Sequence, residues 1–363
     1  MSNKMKAALL KELGKPLEIE EVNIPEIKDN DVLVKVSAVH IAPSTKGLLN
    51  PGGDFIRPNL PAIFGSDVVG TVAKVGNAVK GLKVGQKVYV NSLVSNGTDE
   101  FSLKGKNQLS DSMAFVGMFT FNSNGAELLN EYHGGFAEYM KIPFTNIVPL
   151  DESISDEYAA RLGYIGTGYQ ALKYAKVNPH STVLINGATG TLGVSTVLMA
   201  LAMGARKIIA VANRKDRLDH LAQINSKKII PISLQDENYM QQIMAATEGK
   251  GADALIDCLQ YVGTESVNHL LFTLKKSGTV VFIGGATGNV SIPYGFLLGT
   301  EVNVTGSIWF STADGIEMAN LMKNGQLDLS PLENKVYDFN QINEALDFAD
   351  KRNGGMYNIV VKM

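Results

Sequence analysis

The sequence predicts an α/β protein in which a compact β-barrel domain precedes a doubly wound parallel sheet. Three features predict it. Thr182–Arg214 reads as strand, glycine turn, helix, strand. The alternation of apolar strands and helices then continues to Ser307. Before residue 150, short alternating strands recur between turn residues.

The organising stretch is TVLINGATGTLGVSTVLMALAMGARKIIAVANR. Thr182–Ile185 is apolar and rich in β-branched residues, a buried strand. After the glycines at 187, 190 and 193, Val194–Met203 is apolar and long enough for a buried helix; Lys207–Ala212 is the second strand. Side chains in this turn would hold a pyrophosphate away from the backbone N–H groups, and a large residue at Gly193 would push the helix off the strand. The helix start adds free N–H donors and a positive dipole end. The unit is therefore expected to bind a dinucleotide through Gly187, Thr189, Gly190, Thr191, Leu192 and Gly193, with Ala188 where the commonest fingerprint has its middle glycine. The second strand ends without an acid for the ribose hydroxyls. Asn213, Arg214 and Lys215 stand there, and two cations suit a 2′-phosphate, so the expected cofactor is NADP(H). Asp216 is expected in the first turn of the next helix, where it suits the dipole.

In chain order, strands are expected at Leu17–Val22, Val32–Ala38, Val68–Val75, Lys87–Asn91 and Ala137–Ile142. A long polar insertion, Asn91–Gly134, shows no clear period until Ala126–Tyr132. Helix is expected from Asp151 to Ala160 and from Arg161 to Lys176. Beyond Arg214 the expected order is helix Arg217–Ile224, strand Lys228–Ile232, helix Asp236–Ala246, strand Ala254–Cys258, helix Thr264–Leu274 and strand Thr279–Ile283, then a last strand, Val302–Ser307. Asp314–Met363 is expected to return to the N-terminal domain.

Composition excludes several classes. A net charge of −3 argues against a nucleic-acid surface. No apolar run is long enough to span a membrane, and the N-terminus lacks the pattern of a signal peptide. Cys258 is the single cysteine, so no intrachain disulfide can form and a cysteine-built zinc site is excluded. A cytoplasmic setting is expected.

Several segments resemble a known superfamily over nearly the whole chain: PAIFGSDVVGTVAKVG (Pro61–Gly76), GGFAEYMKIP (Gly134–Pro143), LGYIGTGYQAL (Leu162–Leu172), the glycine turn, and GADALIDC (Gly251–Cys258). They resemble the medium-chain dehydrogenases/reductases, which include zinc alcohol dehydrogenases and zinc-free quinone and enoyl reductases. The resemblance implies a GroES-like β-barrel domain over residues 1–164, completed by 309–363, and a Rossmann domain over 165–308. It implies a small-molecule substrate and a homodimer formed along the last sheet strand. Thr167 resembles the threonine on the nicotinamide side, and Ile283-Gly284-Gly285 the strand end that holds the carboxamide.

The resemblance also bears on zinc. The three catalytic zinc ligands of the zinc enzymes fall on Ala42, Ser66 and Gly163, whose side chains cannot replace thiolate and imidazole. The four cysteines of the structural zinc lobe would lie in the 91–134 insertion, which has none. The expectation is a metal-free member. Without zinc to polarise an oxygen, reduction of a quinone or α,β-unsaturated carbonyl asks least of the protein, because conjugation already spreads the charge. Metal-free alcohol dehydrogenation or carbonyl reduction is the alternative, and a non-catalytic NADPH-binding protein a further one. Ser44 and Thr45 occupy the proton-relay segment, and Asp67 neighbours the former ligand positions; these are the candidate catalytic residues. A tyrosine often found just after the relay position in zinc-free quinone reductases is replaced by Gly47. His40 reads as a satisfied structural histidine, His133 as exposed, and Trp309 as lining either the cleft or a subunit interface.

Overall fold

The computed structural model describes residues 3–363. Its first lobe is built on two sheets. Lys4–Leu10 pairs antiparallel with Glu18–Asn23 on one side and Ala62–Ile63 on the other. The larger, seven-stranded sheet has Asp31–His40 as its spine. That strand pairs with Val68–Val75, Tyr139–Pro143 and the C-terminal strand Tyr357–Lys362. The C-terminal strand thus sits inside the N-terminal lobe, with Val361 opposite Val39.

The second lobe is a six-stranded sheet, all parallel. Its order runs Ile229–Ser233, Lys207–Ala212, Thr182–Asn186, Ala252–Asp257, Leu274–Phe282, Asn303–Gly306. The order reverses at Thr182–Asn186, and the crevice beyond that strand's C-terminal end is where such a sheet takes its ligand. Burial explains the strand pattern: every residue of Thr182–Asn186 is buried, as parallel strands covered on both faces require.

Several elements differ from the expectation. Lys4–Leu10 was not anticipated, although its KMKAALL alternates exposed and buried residues at the start. The fifth sheet strand begins at Leu274 rather than Thr279. The preceding helix ends at Leu270, the Thr273 hydroxyl donates to Leu270 O (2.7 Å) and closes a tight turn. The chain then runs extended through the exposed Lys275 and Lys276, which no apolar pattern reveals. Helix Tyr239–Ala246 starts three residues later than expected. Asp236 and Asn238 turn their side chains to accept hydrogen bonds from Gln242 (3.2 and 2.8 Å).

The 91–134 insertion is ordered by polar groups. The Asp99 carboxylate accepts from the Phe101 and Ser102 N–H groups (2.9 and 3.1 Å) and from the hydroxyls of Ser102 and Ser110 (2.7 and 2.6 Å). Ser102 also bonds Ser95 (2.8 Å). This knot closes the lobe in which the resemblance would place four cysteines.

Candidate active site

The glycine turn needs its glycines. Gly187 has φ +72°, a left-handed conformation that favours glycine. A Cβ on Gly193 would overlap Gly187 O and lie 2.6 Å from Ala188 Cα. Helix Thr191–Ala202 can therefore start flush against the strand, with its free N–H groups facing the crevice. The cleft there measures about 300 Å³. Gly187, Thr189, Gly190, Thr191 and Leu192 form one wall, Asn353, Gly354 and Tyr357 the other. The walls meet: the Gly355 N–H donates to Thr189 O (2.8 Å).

The other expected cofactor residues divide. Asn213 and Arg214 line the far end of the cleft, and Lys215 does not. Lys215 heads helix Lys215–Ala222 and pairs with Asp219 one turn on (2.9 Å). Asp216 does sit in that helix's first turn, and it holds the Arg214 guanidinium in a two-pronged bond (2.9 and 2.8 Å). Arg217, absent from the sequence expectation, lines the same end and donates to Arg352 O (3.3 Å). Gly284 and Gly285 lie outside the cleft lining. Gly284 packs on Leu259 O, and Gly285 O accepts from the Tyr261 N–H (3.0 Å), so both shape the loop that closes the crevice. The Thr167 hydroxyl is turned back onto Gly163 O (2.9 Å) within its helix.

The positions on which the zinc ligands fall, Ala42, Ser66 and Gly163, are all buried. Asp67, beside Ser66 and against Gly163, is the ionisable group there. Its carboxylate is 2% exposed, accepts from Tyr89 Oη (2.8 Å) and Ser66 Oγ (3.4 Å), and stands 4.0 Å from His40 Nδ1. Burial pushes its pKa up to about 6, against the hydrogen bonds and the Arg161 charge that favour the ionised form. A Cβ on Gly163 would overlap Asp67 Oδ1 and lie 2.8 Å from the Trp309 ring, so a larger residue there is incompatible with this carboxylate. Trp309 is held by a bond from Nε1 to Asn91 Oδ1 (2.7 Å) and by stacking on Phe310 (5.2 Å between centroids). Trp309 therefore packs against the Gly163 side of this cluster. Among the described residues, no three or more His, Cys, Asp or Glu side chains gather where they could hold a metal ion. The donor set present does not fit a zinc ion.

Ser44 occupies the N-cap position of the short helix Thr45–Leu49 without a side-chain cap bond, and its hydroxyl lies near Tyr164. The Thr45 N–H bonds Ala42 O (3.0 Å). Burial raises the Tyr164 hydroxyl to about 12, so it is a proton-bearing donor at neutral pH.

His40 differs from the expectation of a satisfied histidine. It is buried, and its Nδ1 has no hydrogen-bond partner. Its Nε2 lies 3.3 Å from Arg161, a fully buried arginine at the floor of the cleft. Nothing in the sequence marked Arg161, since a lone arginine at a helix start reads as solvated.

Comparison with known proteins follows the same outline. Residues 28–152 match the alcohol dehydrogenase GroES-like domain, and residues 191–324 the zinc-binding dehydrogenase model. An NAD-dependent alcohol dehydrogenase of Sulfurisphaera tokodaii is 29% identical over 351 residues, 94% of this chain and 96% of that protein. A sorbitol dehydrogenase of Bombyx mori is 28% identical over 338 residues, 92% of each. Among solved structures, a putative zinc-binding dehydrogenase from Sinorhizobium meliloti bound to NADP superposes with a TM-score of 0.84 at 22% identity over the full length of both chains. No helix among the described residues is long and apolar enough to cross a membrane. With both domain models matched in order and relatives aligned along nearly its whole length, the chain belongs to the medium-chain dehydrogenase/reductase superfamily.

Proposed function

We propose that the chain is an NADP(H)-dependent oxidoreductase that works without zinc and reduces a quinone or an α,β-unsaturated carbonyl. The observation that carries the reading is the chemistry of the residues at the three ligand positions. Asp67 and Trp309 crowd the side of Gly163, and Ala42 and Ser66 complete a set with no thiolate or imidazole. Such a set leaves hydrogen bonds and no Lewis acid for a substrate oxygen, which suits acceptors whose charge is already delocalised.

The cofactor is assigned to the cleft, held by the N–H groups of the glycine turn and the start of helix Thr191–Ala202. When bound, NADPH supplies the hydride. The Ser44 hydroxyl, with Tyr164 nearby, donates a hydrogen bond to the substrate oxygen, and the compensating proton comes from water. Asp67 touches no substrate in this scheme: it is a positioning residue that fixes Tyr89 and the Gly163 end of helix Leu162–Tyr174. NADP(H) is favoured by Asn213 in place of an acid and by Arg214 and Arg217 at that end of the cleft. A homodimer is also proposed. Asn303–Gly306 is an edge strand, and Tyr294 and Leu298 on the helix that precedes it are 81% and 72% exposed.

The second reading, a metal-free alcohol dehydrogenase or carbonyl reductase, draws on the relatives, which are named as alcohol and sorbitol dehydrogenases. Loss of NADPH absorbance with chelator-treated protein and a panel of a quinone, an enone, an aldehyde and a secondary ketone separates the two. Turnover of quinone or enone supports the first reading. Preferential turnover of aldehyde or ketone refutes it in favour of the second, and silence throughout favours a binding protein.

A further inference from the structure

We propose that Arg161 is a built-in countercharge for the cofactor's diphosphate, completing from beneath the cleft the anion site that the glycine turn opens from above. The inference rests on the cofactor reading above.

Arg161 is 0% exposed, and all its N–H groups are spent on neutral acceptors. Nε donates to Ser195 Oγ (3.0 Å), Nη1 to His40 Nε2 (3.3 Å) and Tyr357 O (3.1 Å), and Nη2 to Thr191 O and Gly355 O (2.9 Å each). With His40 Nε2 accepting, that ring is neutral and carries its proton on Nδ1. Burial and the neighbouring guanidinium both hold the His40 pKa well below its ordinary value, which agrees. The cation is thus solvated by dipoles but meets no anion at bonding distance. Asp67 is the acid whose field reaches it, and His40 lies between them. A buried charge in that state is costly, and such costs persist where a ligand or partner supplies the opposite charge.

The position points to which ligand. Thr191 and Ser195 belong to the helix whose N-terminus faces the cleft, while Gly355 and Tyr357 belong to the opposite wall. A Cβ on Gly355 would overlap Gly190 O, so the two walls touch directly above the guanidinium. An anion seated on the turn lies close to a positive charge that water cannot screen. Because Arg161 has no donor to spare, its effect is Coulombic; the turn's own N–H groups make the hydrogen bonds. The diphosphate is common to both dinucleotides. Arg161 therefore sets affinity for each alike, whereas Arg214 and Arg217 discriminate between them.

The test is equilibrium binding of NADPH and NADH, by calorimetry, to wild type, Arg161→Met and Arg161→Lys. Arg161→Met should weaken both dinucleotides by a similar factor, roughly thirtyfold or more. Arg161→Lys keeps the charge, loses the fork, and should stay within a few-fold of wild type. Wild-type affinity in Arg161→Met, or equal weakening in both variants, would overturn the countercharge. If Arg161→Met does not fold, Arg161→Gln takes its place: it should weaken NADPH and NADH alike as expected for Arg161→Met, and wild-type affinity in that variant overturns the proposal. A wild-type protein that binds neither dinucleotide would instead refute the cofactor reading.

Discussion

Replacing Asp67 by Asn should make the protein more stable at neutral pH. The Asp67 carboxyl is buried and holds its proton up to about pH 6, against 3.8 for the unperturbed group. That difference corresponds to up to about 3 kcal/mol of native-state penalty once the group is ionised. The sign follows from linkage. Below about pH 4 the carboxyl is protonated in both states and the penalty is absent. Between about pH 4 and pH 6 the unfolded chain ionises first, so wild-type stability falls as pH rises. Above that window the penalty is fully present. Asn is nearly isosteric. Its Oδ1 keeps the bond from Tyr89, and its amide can donate to Ser66, where the carboxylate accepts at 3.4 Å. Urea unfolding of wild type and Asp67→Asn at about pH 4.5 and about pH 7.5 is the assay. The variant's advantage should grow with pH, towards about 3 kcal/mol. A variant less stable than wild type at the higher pH, or an advantage independent of pH, would refute the assignment of a buried, proton-holding carboxyl.

Other substitutions test separate parts of the account. Gly193→Ala places a Cβ on Gly187 O and should lower the thermal midpoint and abolish dinucleotide binding; normal binding would show that the helix does not rest on the turn. Ser44→Ala should cut turnover roughly a hundredfold while cofactor affinity holds, and unchanged turnover would remove the hydroxyl from the mechanism. Arg214→Ala and Arg217→Ala should weaken NADPH far more than NADH in binding assays; an equal effect on both would refute a 2′-phosphate site there. Asp99→Ala should speed proteolysis and amide exchange across residues 95–112 while leaving the six-stranded sheet protected; unchanged protection would mean that the Ser102 and Ser110 bonds do not hold the lobe.

What the sequence could reveal followed the physics of burial. The parallel strands were legible because burial on both faces leaves continuous apolar runs, as in Thr182–Asn186. The glycine turn was legible because only glycine tolerates the approach at Gly193. The insertion was not, because its strands, Leu93–Val94 and Ala114–Phe115, are two residues each and its order comes from the side chains gathered on Asp99. Lys215 carried the right charge for a phosphate, but its orientation depends on Asp219 one helical turn away. Arg161 and His40 were hidden for a related reason. Arg161 takes its meaning from contacts with Ser195, Tyr357 and Gly355, the last two supplied by the returning C-terminal segment, and His40 from its contact with Arg161, 121 residues on.

The most direct test of the central claim is turnover of a quinone or enone with NADPH, measured before and after exhaustive chelation and again after zinc is added back. A residue set of Ala42, Ser66, Asp67 and Gly163, with no zinc ligand among the three former ligand positions, predicts the same rate in all three states. A rate that falls on chelation and returns with zinc would contradict it, and would show that the metal is held by a ligand set other than these residues.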